Sequence, residues 1–185
     1  MKTDQNNFVQ LEQEGDKKDY YRRLGRFITF GKWKGKPLFY LGPDYKFFMP
    51  MYFALIVASI VSCYFCKQLQ ESEWSFIGAV SISILELLIY AITAFKDPGI
   101  VQDPELDIEE LQHNSQSICY QCKVHKKKGR YHCEFCDVCI DGHDHHCPWT
   151  SKCIGKGNII PFYMFLITTS SFFIYHFLVS FSQKK

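Results

Sequence analysis

Between residues 119 and 153 the sequence places seven cysteines, with histidines among them, at intervals suited to holding metal. It reads Cys119-x2-Cys122, nine further residues, then His132-Cys133-x2-Cys136-x2-Cys139. After four more residues come Asp144-His145-His146-Cys147, and after five more Cys153. Where thiols stay reduced, close Cys-x2-Cys pairs read as zinc ligands, because both sulfurs of a tight turn reach one tetrahedral ion. Two tetrahedral sites need eight donors, and seven cysteines with the available histidines exceed that number, so at least one cysteine need not be bound. A cysteine without a metal, beside two histidines and an aspartate, is a candidate nucleophile. An adjacent imidazole can bring a thiol from about 8.5 to between about 3.5 and 7.5. Asp144 is placed to hold His145 in one tautomer. Side chains at i, i+1 and i+3 converge only if the backbone turns, and Pro148 favours a fixed turn.

The elements that must position this loop are apolar. The chain has 185 residues, 17% of them aromatic with 17 Phe and 11 Tyr, which excludes a disordered protein. A formal charge of +2 supplies little field for nucleic acid, so no nucleic-acid partner is expected. The mean hydropathy of -0.13 averages over strong segregation. Residues 47–66 form a run without a charge, residues 74–95 a run with one charge (Glu86), and residues 159–182 a run with His176 but no formal charge. About 20 helical residues cross a hydrocarbon core of about 30 Å. A soluble domain of this size has too little other material to cover three such helices. Trp74, Tyr45, Tyr52 and Tyr90 lie near the run ends, where amphipathic rings favour the membrane interface.

The expected fold class is therefore an α-helical polytopic membrane protein. It divides into an N-terminal segment 1–46, spans at 47–66, 74–95 and 159–182, a short loop 67–73, a cysteine-rich loop 96–158 between the second and third spans, and a tail 183–185. Segments 1–46 and 96–158 hold 18 of the 21 Lys and Arg, so the positive-inside rule puts both in the cytosol and the loop 67–73 in the lumen. The N-terminus shows no signal-peptide layout and is expected to stay in the mature chain.

Spacing by spacing, the cysteine-rich run resembles the corresponding domain of the DHHC-type protein S-acyltransferases (palmitoyltransferases). The resemblance extends to Pro148-Trp149, Cys153-Ile154-Gly155, Asn158 and Phe162. It includes Asp97-Pro98-Gly99 after the second span, and Gly25-Arg26-Phe27 through Gly42-Pro43-Asp44 before the first. It implies two structural zinc ions, one held by Cys119, Cys122, His132 and Cys139, the other by Cys133, Cys136, His146 and Cys153. Cys147 would stay free as the nucleophile, His145 would be the base and Asp144 its orienter. The implied reaction is ping-pong transfer of a long-chain acyl group from acyl-CoA (palmitoyl-CoA), through a Cys147 thioester, to cysteines of cytosolic or membrane-associated substrate proteins. Trp149 would contact the acyl chain or thioester, and Lys126, Lys127, Lys128 and Arg130 would meet the CoA phosphates or form a solvated basic face. Membrane lipid is the expected surrounding, in the endoplasmic reticulum or Golgi.

Other residues have simpler expectations. Glu86 and His176 are either helix–helix hydrogen-bonding groups or functional ones. Cys63 and Cys66 read as small core positions, Phe172 and Phe173 as walls for an acyl cavity, residues 103–110 as a solvated linker helix, and His113, His125 and His143 carry no assigned role. The family has four spans and a Thr-Thr-x-Glu motif, whereas this sequence shows three spans and no such motif. The expectation is of a fragment, a truncated form, or a chain that needs an accessory subunit. The alternative function is accordingly a non-catalytic, zinc-containing membrane adaptor or pseudoenzyme.

Overall fold

In the computed structural model the described residues are 24–68, 72–102 and 118–182; residues 103–110 and His113, named above, lie outside them. Three helices among the described residues are long and apolar enough to span a bilayer: α1 (Tyr45–Gln68), α2 (Glu73–Phe95) and α3 (Ile159–Ser182). The chain is a polytopic membrane protein. Helix α1 starts before its uncharged run because the Asp44 carbonyl accepts from the amides of Phe47 and Phe48 and so opens the first turn. At the start of α2, Ser72 caps the helix by accepting from the Ser75 amide at 3.2 Å.

The three helices share a core of Phe48, Leu55, Ile89, Tyr90, Ala94 and Phe165 at the end nearest the cysteine-rich loop. Tyr90 is wholly buried there, stacked on Phe165 at 4.4 Å and edge-on to Phe48 at 5.3 Å. It does not belong to the lipid-facing aromatic belt that its position suggested, because its side of α2 faces α1 and α3. Glu86 is taken up by a helix–helix hydrogen bond, Thr169 Oγ1 donating to its Oε1 at 2.6 Å. Phe172 is buried and Phe173 exposed, so only the first can face the bundle interior. Cys66 is buried and Cys63 partly so.

The segment before α1 folds into a hairpin of β1 (Ile28–Trp33) and β2 (Lys36–Leu41), antiparallel, with Phe30 opposite Phe39. Three further two-stranded antiparallel sheets build the loop: β3 (Ile118–Cys119) with β4 (Val124–His125), β5 (Tyr131–Cys133) with β6 (Val138–Ile140), and β7 (His145–Cys147) with β8 (Lys152–Ile154). Their small core joins Ile100, Val138, Ile140 and Cys153 to Leu24, Phe27 and Tyr40 from before α1. Asp97 Oδ1 accepts from the amides of Gly99 and Ile100, at 2.8 and 2.9 Å, and turns the chain from α2 into this domain.

Candidate metal centres and nucleophile

The strands assign the site residues by alternation. Consecutive strand side chains point to opposite faces, so β5 sends His132 one way and Cys133 the other. His132 stands opposite Cys139 on β6, and Cys122 and Cys119 complete that group. Sulfur to His132 Nδ1 distances are 3.5 Å for Cys119, 3.2 Å for Cys122 and 3.9 Å for Cys139. On the next hairpin His146 stands opposite Cys153, and Cys133 and Cys136 join them. His146 Nδ1 lies 3.4 Å from Cys133, 3.4 Å from Cys136 and 3.5 Å from Cys153, and the Cys136 and Cys153 sulfurs are 3.6 Å apart.

These separations fit metal. A tetrahedral zinc with ordinary Zn–S and Zn–N bonds has edges of about 3.6 Å between S and N and about 3.8 Å between two sulfurs. The thiols are also crowded in the way a cation relieves. Hydrogen bonds from Cys139, and then from His132, bring Cys122 down to about 6 against the opposing effect of burial. Hydrogen bonding with Cys122, then burial, pushes Cys139 up. In the second group, hydrogen bonds from Cys136 and Cys153 hold Cys133 far below the usual thiol range, while Cys153 is pushed up by hydrogen bonding with Cys133 and Cys136. Three thiols this close cannot all ionise by themselves, and a thiophilic divalent cation is the partner that lets them.

Each histidine has a carboxylate on its far side. His146 Nε2 lies 2.7 Å from Asp44 Oδ2, and His132 Nε2 lies 3.9 Å from Asp137 Oδ1. Burial opposes the His146 imidazolium, but hydrogen bonds to Cys133, Cys136 and Asp44 raise it to about 11.

The alternation that sends His146 towards the sulfurs sends His145 and Cys147 to the opposite face of β7. Cys147 is in neither sulfur cluster and is 7% exposed. His145 Nδ1 is 2.7 Å from Asp144 Oδ2, which leaves Nε2 for another proton partner. After Cys147 the chain makes a 3-10 turn, Pro148–Thr150, closed by Ser151 in the left-handed region at φ 71°. Thr150 Oγ1 donates to the Cys147 carbonyl at 3.2 Å.

Each span touches this run. Phe47 of α1 meets the Trp149 ring at 6.4 Å, Tyr90 of α2 donates its hydroxyl to the Trp149 carbonyl at 2.6 Å, and Phe162 of α3 meets the His145 ring at 5.2 Å. Residues 112–183 match the family model described as DHHC palmitoyltransferase. This stretch of the chain is similar to the DHHC palmitoyltransferase family. Its relatives include palmitoyltransferase ZDHHC9 of Homo sapiens, 27% identical over 71% of this chain and 44% of that protein. The Danio rerio ZDHHC9 is 31% identical over 54% of this chain and 33% of the relative. The probable protein S-acyltransferase 7 of Arabidopsis thaliana is 27% identical over 83% and 44%. The chain thus spans less than half the length of the relatives it matches.

Around this site further side chains and close approaches hold the loop to the spans and to the segment before α1. Lys152, opposite Cys147 in the β7–β8 register, is wholly buried. Its Nζ donates to the carbonyls of Tyr40 and Lys96, both at 2.6 Å, and burial holds it down to about 7. It ties the hairpin and the end of α2 to the strand that carries Cys153. Gly42 donates to Ser151 Oγ at 3.1 Å, and the Asp44 amide donates to the Ser151 carbonyl. A Cβ at Gly42 would overlap the Ser151 carbonyl, so only glycine fits this close approach. Asn158 accepts from the Gly155 amide and donates to the Cys153 carbonyl, fixing the entry to α3. Arg130 turns inward to Asp141 at 3.4 Å and the His125 carbonyl at 2.9 Å, leaving Lys126, Lys127 and Lys128 as the exposed basic side chains of that stretch.

Proposed function

We propose that the chain is a protein-cysteine S-palmitoyltransferase that works through a Cys147 thioester, with the loop on the cytosolic side of an endomembrane. The observation that carries this reading is the division of labour along β7: His146 faces the sulfur cluster, while His145, already engaged with Asp144, and Cys147 share the other face beside the span ends. Two zinc ions, one with Cys119, Cys122, His132 and Cys139 and one with Cys133, Cys136, His146 and Cys153, would supply structural bracing to a domain with a very small apolar core.

His145 Nε2 takes the Cys147 proton, and Asp144 stabilises the resulting imidazolium. The Cys147 thiolate adds to the thioester carbonyl of a long-chain acyl-CoA. The carbon–sulfur bond to CoA breaks, and the leaving thiolate takes the proton from His145. An acyl-enzyme remains. In the second half a substrate protein's cysteine gives its proton to His145 and attacks the same carbonyl; the carbon–sulfur bond to Cys147 breaks, and the Cys147 thiolate takes the proton back from His145. One thioester replaces another in each half, so the exchange needs no external energy source. Trp149, 56% exposed beside Phe47, is the side chain proposed to meet the acyl chain. Lys126, Lys127 and Lys128 are the groups proposed for the CoA phosphates.

Incubating purified protein with a labelled palmitoyl-CoA and an acceptor protein tests this. A hydroxylamine-sensitive label should form on the chain and pass to the acceptor, and Cys147→Ser should abolish both. A label that never passes on would favour the non-catalytic adaptor, and no label on metal-replete protein would remove the enzyme reading.

A further inference from the structure

The β1–β2 hairpin takes no part in that reaction, and its chemistry differs from the rest of the loop side. Residues 25–43 carry Arg26, Lys32, Lys34 and Lys36 and no carboxylate. Phe30 and Phe39 stack at 5.2 Å, and both meet the Phe95 ring edge-on, at 5.6 and 6.2 Å. Beside this contact lies an apolar groove of about 280 Å³, lined by Leu38 and Phe39 of β2, by Leu88, Ile92 and Phe95 of α2, and by Lys96 just after it. Leu88 precedes Phe95 by two turns, about 10 Å along the axis. Hairpin side chains that share a groove with Leu88 therefore lie level with the last two turns of a membrane span. Exposed Leu38 and Phe39 continue the exposed apolar side of α2 formed by Leu88 and Ile92. At the tip, Lys34 and Gly35 with φ of 48° and 79° make a tight turn, and the Trp33 indole is 67% exposed among lysines. An indole flanked by cations suits the headgroup region of a bilayer.

We propose that β1–β2 is a lipid-docking hairpin. Its apolar side and the groove against α2 take the acyl chains of bilayer lipid, while Lys34 and Lys36 bind the headgroups of anionic phospholipid. A partner protein fits less well, because the groove runs without a break onto the exposed apolar side of a helix long enough to span a bilayer.

The test uses the full chain in nanodiscs of phosphatidylcholine with increasing phosphatidylserine, with bromine on the acyl chains of one lipid or the other. The Trp33 signal is the difference between the parent and Trp33→Phe. Brominated phosphatidylserine should quench it, aqueous iodide should not, and Lys34→Gln or Lys36→Gln should each raise the phosphatidylserine fraction needed for half-quenching by about fivefold. Bound metal, measured in parallel, should be the same in all variants. Free quenching by iodide in every lipid would overturn the proposal. Shielding from both iodide and brominated lipid would mean that protein covers the hairpin, and would overturn it too. Equal quenching by both brominated lipids, unmoved by the lysine variants, would overturn the anionic preference.

Discussion

Asp44 and His146, 102 residues apart in sequence, meet at 2.7 Å, carboxylate oxygen to Nε2. The contact joins the residue that opens α1 to a histidine whose other nitrogen faces three sulfurs. A carboxylate behind a ligating imidazole fixes its tautomer and ring orientation and makes it a better donor. The span entry and the metal group are thereby one mechanical unit.

Replacing Asp44 with Asn should weaken metal binding at the Cys133, Cys136, His146 and Cys153 group by about 10–100-fold. Competition with a graded series of chelators measures this. Loss should be confined to one of two ions, since the other group has its own carboxylate, Asp137.

Tyr90→Phe removes the hydroxyl donated to the Trp149 carbonyl and little else. An unpaired carbonyl of this kind costs about 1–3 kcal/mol. Acylation of Cys147 should slow by about tenfold, with metal content unchanged. An unaltered rate in single-turnover labelling would remove Tyr90 from the positioning of the turn.

The parts legible in the sequence were those that local chemistry dictates. Cys-x2-Cys spacing reports metal wherever it folds, and 20-residue apolar runs report spans whatever their rotation. Rotation itself was hidden: an all-round apolar helix does not show which face is inward, so Tyr90 read as a belt residue. The hairpin was hidden because it is apolar on both faces, with Phe39 against Phe95 and Tyr40 against Phe27 at 6.5 Å, which erases the period-two pattern. The role of Lys152 was hidden because nothing nearby in sequence announces the two carbonyls it serves.

Lys152→Met keeps the bulk but leaves the Tyr40 and Lys96 carbonyls without their shared donor. The expected loss is about 2–5 kcal/mol, seen as a lower unfolding midpoint in detergent. The Nζ also donates at the C-terminal end of α2, to a carbonyl that the helix leaves unpaired. A variant as stable as the parent would show that neither contact matters.

His145→Ala and Asp144→Asn should both lower the rate of acyl-enzyme formation, by about 10²–10⁴-fold for His145, and leave both ions bound. His146→Ala should instead release metal. Metal loss in His145→Ala would show that the roles along β7 have been assigned the wrong way round.

The most direct test of the central claim is to weigh the intact protein after exposure to palmitoyl-CoA while counting its zinc. The account predicts one hydroxylamine-labile acyl group on the parent, none on Cys147→Ser, and two bound ions in both. A Cys147→Ser protein that has lost an ion, or that still carries the acyl group, would contradict it.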